Sequence, residues 1–175
     1  MFEYKYTTDN KTRYLTVIHF IVFTLIAATL LLLVDGGYIL AWFISIVIAT
    51  IALMALSIPR RIILSEDGVE ICCISDYTHI AYKEIASIRA VKSEEMRYVM
   101  PIFAASGFFG YYGSFLDFKN WDFVKIYASK WSNFIEITDI YEDKYYISCD
   151  QSEELIERVL SCVSLKPSED EQKPA

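Results

Sequence analysis

Residues 14 to 58 read YLTVIHFIVFTLIAATLLLLV, then DGG, then YILAWFISIVIATIALMALSI. From Tyr14 to Val34 there is no Asp, Glu, Lys or Arg in 21 residues, and from Tyr38 to Ile58 there is none in another 21. At a rise of ~1.5 Å per residue, ~20 apolar residues span the ~30 Å hydrocarbon core of a bilayer. A buried helix of a soluble protein has a shorter apolar run and keeps a polar stripe. The two runs therefore predict a transmembrane helical hairpin over 14–58 that turns at Asp35-Gly36-Gly37. A cleaved leader is the competing reading of the first run. Leader cores are only ~7–15 residues long and end in a small-x-small site, whereas Leu33-Val34-Asp35 ends this one, so the first helix is expected to be retained.

The flanks set an orientation. Lys5, Lys11 and Arg13 precede the first run, Arg60-Arg61 follows the second, and the connecting turn offers only Asp35. Lys and Arg in short flanks mark the cytoplasmic side, so a multi-pass protein of the cell inner membrane with both termini cytoplasmic is expected. The chain divides into a cytoplasmic tail over 1–13, the hairpin over 14–58, a soluble domain over 59–165 and a charged, proline-containing tail over 166–175 that is expected to be disordered.

The part from Pro59 onward holds 13 basic against 20 acidic residues and carries the whole net charge of −7. Neutralising phosphates needs a basic face, which argues against nucleic acid, and the same imbalance argues against anionic lipid headgroups. Cys72, Cys73, Cys149 and Cys162 show no metal-ligand spacing. Adjacent strand residues such as Cys72 and Cys73 point to opposite faces, and on the reducing side of the membrane thiols are expected.

After Pro59 short alternating strands recur, with turn signals about every ten residues. Ile62 to Leu64 and Val69 to Ile74 flank Ser65-Glu66-Asp67-Gly68, a hairpin turn with glycine expected at positive φ. Further strands are expected at Ile80 to Tyr82, Ile88 to Val91, Arg97 to Phe103, Phe123 to Tyr127, Phe134 to Thr138 and Tyr145 to Cys149. Pro101 confines its strand to an edge or an end. The period then changes: Leu155, Ile156, Val159, Leu160 and Val163 recur at helical spacing after the capping segment Asp150-Gln151-Ser152-Glu153. The expected fold is thus a two-helix transmembrane hairpin followed by a mainly-β barrel of about seven antiparallel strands, closed by one C-terminal α-helix.

That layout, with Arg60-Arg61-Ile62-Ile63-Leu64, Ile80-Ala81-Tyr82-Lys83-Glu84-Ile85 and above all Gly107-Phe108-Phe109-Gly110-Tyr111-Tyr112-Gly113, resembles bacterial membrane proteins with two N-terminal transmembrane helices and a pleckstrin-homology-like domain. Lys125-Ile126-Tyr127-Ala128-Ser129 and Tyr145 to Asp150 with Glu153-Glu154 extend the resemblance. Where that family's motif opens with an arginine and a glycine-rich step, this chain has Pro101-Ile102-Phe103-Ala104-Ala105. The resemblance implies a PH-like fold at a membrane and no established reaction.

Many pleckstrin-homology domains hold inositol phosphates with basic residues on the first hairpin. Here Glu66 and Asp67 occupy that turn and would repel phosphate by roughly 1 kcal/mol or more at a few Å. Gly107, Gly110 and Gly113 lack the following helix and Lys-Ser/Thr of a phosphate-cradling loop, so no cofactor is expected. Six of the 13 residues from Phe103 to Phe115 are Phe or Tyr, and that surface must be buried. Two places are open to it: the domain's own core or the bilayer interface.

His19 lies in the first run, where Thr50 or Ser57 could satisfy it across the hairpin, and His79 lies in a strand. Neither has a nucleophile, carboxylate pair or metal partner at a recognisable spacing. The expectation is a non-enzymatic, membrane-anchored binding or scaffolding module whose partner is a protein or a second copy. The alternative is a membrane enzyme or transporter accessory subunit acting through His19, His79 or Cys73.

Overall fold

The computed structural model describes residues 2–33, 37–74 and 77–165. The chain opens with a strand, β1 (Phe2–Lys5), where a tail was expected. Helix α1 (Asn10–Leu33) follows and then α2 (Tyr38–Leu56). Asp9 caps α1: its carboxylate accepts the Thr12 N–H at 2.8 Å, and its carbonyl accepts the Arg13 N–H at 3.2 Å. This acceptor is what an orphan first turn requires, and it starts α1 four residues before Tyr14. Helix α2 stops at Leu56 with Ser57 as its C-cap. Ile58 therefore lies outside it, ahead of Pro59, whose ring cannot continue a helix. Val34, Asp35, Gly36 and the tail 166–175 lie outside the described residues.

Half-buried positions recur at helical spacing as Phe23, Ala27 and Leu30 on α1 and as Leu40, Phe43, Val47, Ile51 and Met54 on α2. They mark the seam between two helices that otherwise expose apolar side chains. Both helices are long and apolar enough to cross a membrane.

Among the described residues nine strands and a helix follow: β2 (Pro59–Leu64), β3 (Gly68–Cys73), β4 (Tyr77–Ala81), β5 (Ile85–Val91), β6 (Val99–Ser106), β7 (Tyr111–Asp117), β8 (Asp122–Ala128), β9 (Phe134–Asp139), β10 (Lys144–Ser148) and α3 (Ser152–Leu165). They form a four-stranded sheet in the order β1-β2-β3-β4 and a six-stranded sheet in the order β5-β9-β10-β8-β7-β6. The described residues thus hold ten strands, where about seven were expected, and the sheets do not close into a barrel. Between β4 and β5 the chain makes a 3-10 turn at Tyr82–Glu84 and changes sheet, so these consecutive strands do not pair. The expectation of purely antiparallel pairing also fails at one place. The β9–β10 hairpin folds back so that β10 slots between β9 and β8 and runs parallel to β8, with Tyr146 opposite Ile126.

Gly68 corrects the reading of the first hairpin. Its φ is not positive; instead, a Cβ there would meet the Ile80 carbonyl oxygen at 2.3 Å, so glycine is needed for the close approach of β4.

The six-stranded sheet buries both faces at β9 and β10. Ile135, Ile137, Tyr145 and Ile147 pack with Ile62, Val69, Ile71 and Ile80 of the smaller sheet and with Leu155 and Val159 of α3. Phe134 and Tyr146 turn the other way, to Phe115, Val124, Ile126 and Met96. Strand β1 belongs to the first core. It runs antiparallel to β2, with Phe2 opposite Leu64 and Lys5 opposite Arg61. Tyr4 is buried, and the Arg158 guanidinium of α3 stacks 3.7 Å from the Phe2 ring centre. The two apolar helices are therefore inserted between two neighbouring strands of one sheet.

Candidate functional site

The glycine-aromatic segment forms the turn between β6 and β7, and the structure brings this turn against α1. The Gly107 N–H donates to the Gly110 carbonyl at 2.8 Å, closing the turn. Gly107, Gly110 and Gly113 have φ of 82°, 150° and 114°, and Phe109 also sits at positive φ, 56°. At Gly107 the requirement is doubled, because a Cβ would lie 2.6 Å from Leu15 Cδ1 on α1. Sheet and helix touch here without room for a methyl group.

Thr16 fastens the contact. Its buried Oγ1 accepts the Phe109 N–H at 2.9 Å, and its single proton has two acceptors in reach, the Gly107 carbonyl at 3.1 Å and the Thr12 carbonyl at 2.9 Å. The Phe108 ring, 3% exposed, lies edge-on to His19 at 5.8 Å and against Phe20 at 5.6 Å. The Phe108 carbonyl accepts the Tyr112 hydroxyl at 3.2 Å. Phe109 stacks on Phe108 and Phe20 at 4.8 and 6.4 Å and remains 42% exposed.

A second fastening lies one turn nearer the start of α1. Thr12 donates to the Ser129 carbonyl at 3.2 Å, Ser129 Oγ donates to the Thr7 carbonyl at 2.7 Å, and the Ser129 N–H donates to Ser148 Oγ at 3.1 Å. The largely buried Lys130 ammonium pairs with Asp150, which also accepts the Thr7 hydroxyl. Segment 7–16 is thereby bound to three separate loops of the β domain.

The motif therefore divides. Phe108, Tyr111, Tyr112 and Phe115 are buried, whereas Phe109 is half-exposed and Phe103 is 84% exposed. Burial pushes the Tyr112 phenol up to about 12. Sequence reasoning singled out the glycine-aromatic stretch but did not see a turn between two strands in it, and it missed Leu15, Thr12, Thr16 and Ser129. One overlooked signal was Asp9-Asn10-Lys11-Thr12, an N-cap pattern that places the threonines on the helix.

The other candidates do not assemble. His19 bonds its own helix, with Nδ1 2.7 Å from the Leu15 carbonyl. Thr50 and Ser57, its expected partners, donate to Ile46 and Leu53 of α2, because a helical hydroxyl has the carbonyl four residues back within reach. His79 pairs across the sheet with Glu70, three residues along β3 from Cys73, and His19 lies in a different element from both. Among the described residues no group of His, Cys, Asp and Glu could hold a metal ion.

A dense charged cluster around Arg89 is internally satisfied. Arg89 grips the Glu136 carboxylate through Nε and Nη2 at 2.9 and 2.8 Å and reaches Glu95 through Nη1 at 2.9 Å, while the Tyr146 hydroxyl donates to Glu136 at 2.6 Å. The Arg89 hydrogen bond holds the Glu95 carboxyl below the usual range, and burial followed by Glu136 pushes the Tyr146 phenol well up. With every oxygen engaged, the cluster is a structural tie.

Two packed sheets with one C-terminal helix, carried on a pair of apolar helices, define a pleckstrin-homology-like module on a helical hairpin. The family model of the bacterial PH domain matches residues 60–162, more than half of the chain, and the chain belongs to that family. No curated protein and no solved structure matches it. The match starts inside β2, so β1 and the fastened segment 7–16 lie outside it.

Proposed function

We propose that the chain is a binding or scaffolding module with no catalytic activity of its own, anchored in the inner membrane by α1 and α2, with both termini cytoplasmic. Its partner on this reading is a protein surface, either another protein or a second copy. The observation that carries the reading is a bare sheet face. The smaller sheet and α3 cover the six-stranded sheet at β5, β9 and β10, and cover ends where Lys125 stacks 5.2 Å from the Tyr145 ring centre. Beyond it, register sets Met100, Leu116 and Phe123 in one row and Phe103, Ser114 and Lys125 in the next. Met100, Phe103 and Phe123 are exposed, and the adjoining turn adds Phe118 and Trp121, rings 5.5 Å apart. Contiguous exposed apolar surface on a folded domain marks interaction sites, and β6 is an edge strand with backbone groups open to pairing.

Two further features support the details. The Ser65-to-Gly68 turn is tight, with the Gly68 carbonyl accepting the Ser65 N–H at 3.0 Å, and it carries Glu66 and Asp67 where a phosphate would be held. That disfavours anionic headgroups. The β1–β2 ladder supports placing both flanks of the hairpin on one side of the membrane, and Lys5, Lys11, Arg13, Arg60 and Arg61 favour the cytoplasmic side.

Light scattering and co-purification of the full chain in nanodiscs test the binding face, using Phe123→Ser with Trp121→Ser. A self-associating chain is expected to fall from dimer to monomer. A chain with another protein partner is expected to stay monomeric and lose a co-purifying protein. If the variant keeps both the parent's size and its associates, the face is not an interface.

A further inference from the structure

We infer that the turn from Gly107 to Gly110 is itself a lipid-contacting element, with the Phe109 ring among the acyl chains of the leaflet on the domain's side. This rests on the reading that α1 and α2 cross a bilayer.

The first observation is depth. The uncharged run of α1 begins at Tyr14, and Phe109 packs on Phe20 six residues further in. At ~1.5 Å per residue that is about 9 Å along the helix, and His19, at nearly the same depth, touches Phe108. A turn fastened at that level does not lie above the bilayer; it accompanies the helix into it.

The second observation is that five of the eight backbone N–H and C=O groups from Gly107 to Gly110 are engaged within the protein, in the direction hydrocarbon favours. Unpaired N–H and C=O groups are costly there, so irregular chain at membrane depth must have its polar groups engaged. Thr16 takes the Phe109 N–H and stands within bonding distance of the Gly107 carbonyl, Tyr112 serves the Phe108 carbonyl, and the Gly107 N–H and Gly110 carbonyl serve each other.

Composition is the third. Between Arg97 and Asp117 the chain carries no Asp, Glu, Lys or Arg. Beside Phe20, an exposed and mostly apolar face of α1 runs deeper through Val17, Ile21, Thr24 and Leu25. Those residues belong to the span itself, so the occupant continuous with them is lipid. A single half-exposed Phe at the tip, flanked by Phe20 at 44% and Ile21 at 53% exposure, gives an acyl chain an aromatic wall at the top of that face.

The test uses the full chain reconstituted in vesicles of zwitterionic lipid, with bromine at chosen positions along the acyl chain as a quencher. The indole added by Phe109→Trp is read as the difference from the parent. A loss of its emission, strongest with bromine high on the acyl chain, is expected. The native Trp42 of α2, read by comparing Trp42→Phe with the parent, reports the hairpin. Quenching of Trp42 without quenching of the added indole would overturn the inference and leave the hairpin standing. Absence of both would overturn the hairpin as well. Because Phe109 sits at positive φ, a benzophenone side chain placed at 109 gives a second reading on light activation. A lipid adduct by mass supports immersion, and an adduct confined to protein overturns it.

Discussion

Thr16 and Gly107 show how few atoms join helix to sheet. Replacing Thr16 by Val keeps the shape but leaves the Phe109 N–H without its acceptor, and such a loss costs about 1–3 kcal/mol. Thr16→Ser should retain most of that stability, as read by thermal unfolding of the detergent-solubilised chain. Gly107→Ala meets two penalties, the left-handed backbone at about 1–2 kcal/mol and the 2.6 Å approach to Leu15. Adding Leu15→Ala removes Cδ1 and Cγ but leaves Cβ at 2.9 Å and the backbone strain untouched, so the double variant should recover part of the midpoint lost by Gly107→Ala and not all of it. A Gly107→Ala midpoint equal to the parent's would mean that the turn does not bear on the helix. The glycines of the pattern were legible as positions of unusual backbone because only glycine takes such dihedrals cheaply. Its partner was not, since Thr16 stands 91 positions away and reads in isolation as a polar residue near the start of an apolar run.

At the scale of elements, the legible parts were those with long or regular patterns. Two uncharged runs of 21 residues gave the helices, and alternation gave most strands from β2 to β10. Glycines at 110 and 113 hid the whole of β7, where no strand was expected, and strand order within a sheet leaves no local trace, which is why the parallel β8–β10 pair went unseen. Strand β1 escaped because four residues, Phe2-Glu3-Tyr4-Lys5, are too short a pattern, and β1's partner lies beyond both helices. The pairing predicts how the domain can be made soluble. A fragment beginning at Pro59 leaves the β2 edge open and the place of Tyr4 unfilled, and it should aggregate or melt early. Replacing residues 9–57 by a short Gly/Ser turn joins Tyr6, whose N–H already donates to the Arg60 carbonyl at 3.3 Å, directly to β2. That chimera should be monodisperse and should unfold cooperatively several degrees above the fragment, the shift expected for roughly 1–2 kcal/mol in a domain of this size. Equal midpoints would show that β1 adds nothing to the sheet.

For the molecule as a whole, the cores are rich in tyrosine, and this sets its alkaline limit. Burial raises the Tyr112 phenol to about 12 and pushes those of Tyr82 and Tyr146 higher still, whereas an unfolded tyrosine ionises near 10. Below pH ~10 both states keep their protons, and the stability from neutral buried phenols is fully present. As pH rises through the folded values, the unfolded chain binds fewer protons than the native one, so unfolding is favoured. Titration of the solubilised chain should show phenolate absorbance rising in two phases above pH ~10, the second, from the buried tyrosines, in step with loss of far-ultraviolet helix and strand signal. Ionisation of all 13 tyrosines with the fold intact would refute the assignment.

The ladder between β1 and β2 also governs the order in which the protein can be made. Phe2 leaves the ribosome before its partner Leu64, which is 62 residues behind it, several seconds at ~5–20 residues per second. During that interval both apolar helices are synthesised and β1 has nothing to pair with. If only one of those helices entered a membrane, the two strands would emerge on opposite sides and the sheet would never close. Tyr4 would then leave its site empty, and the unfinished edge of β2 would be exposed to proteases. Completion of a four-residue strand thus reports on whether the helices were inserted as a pair.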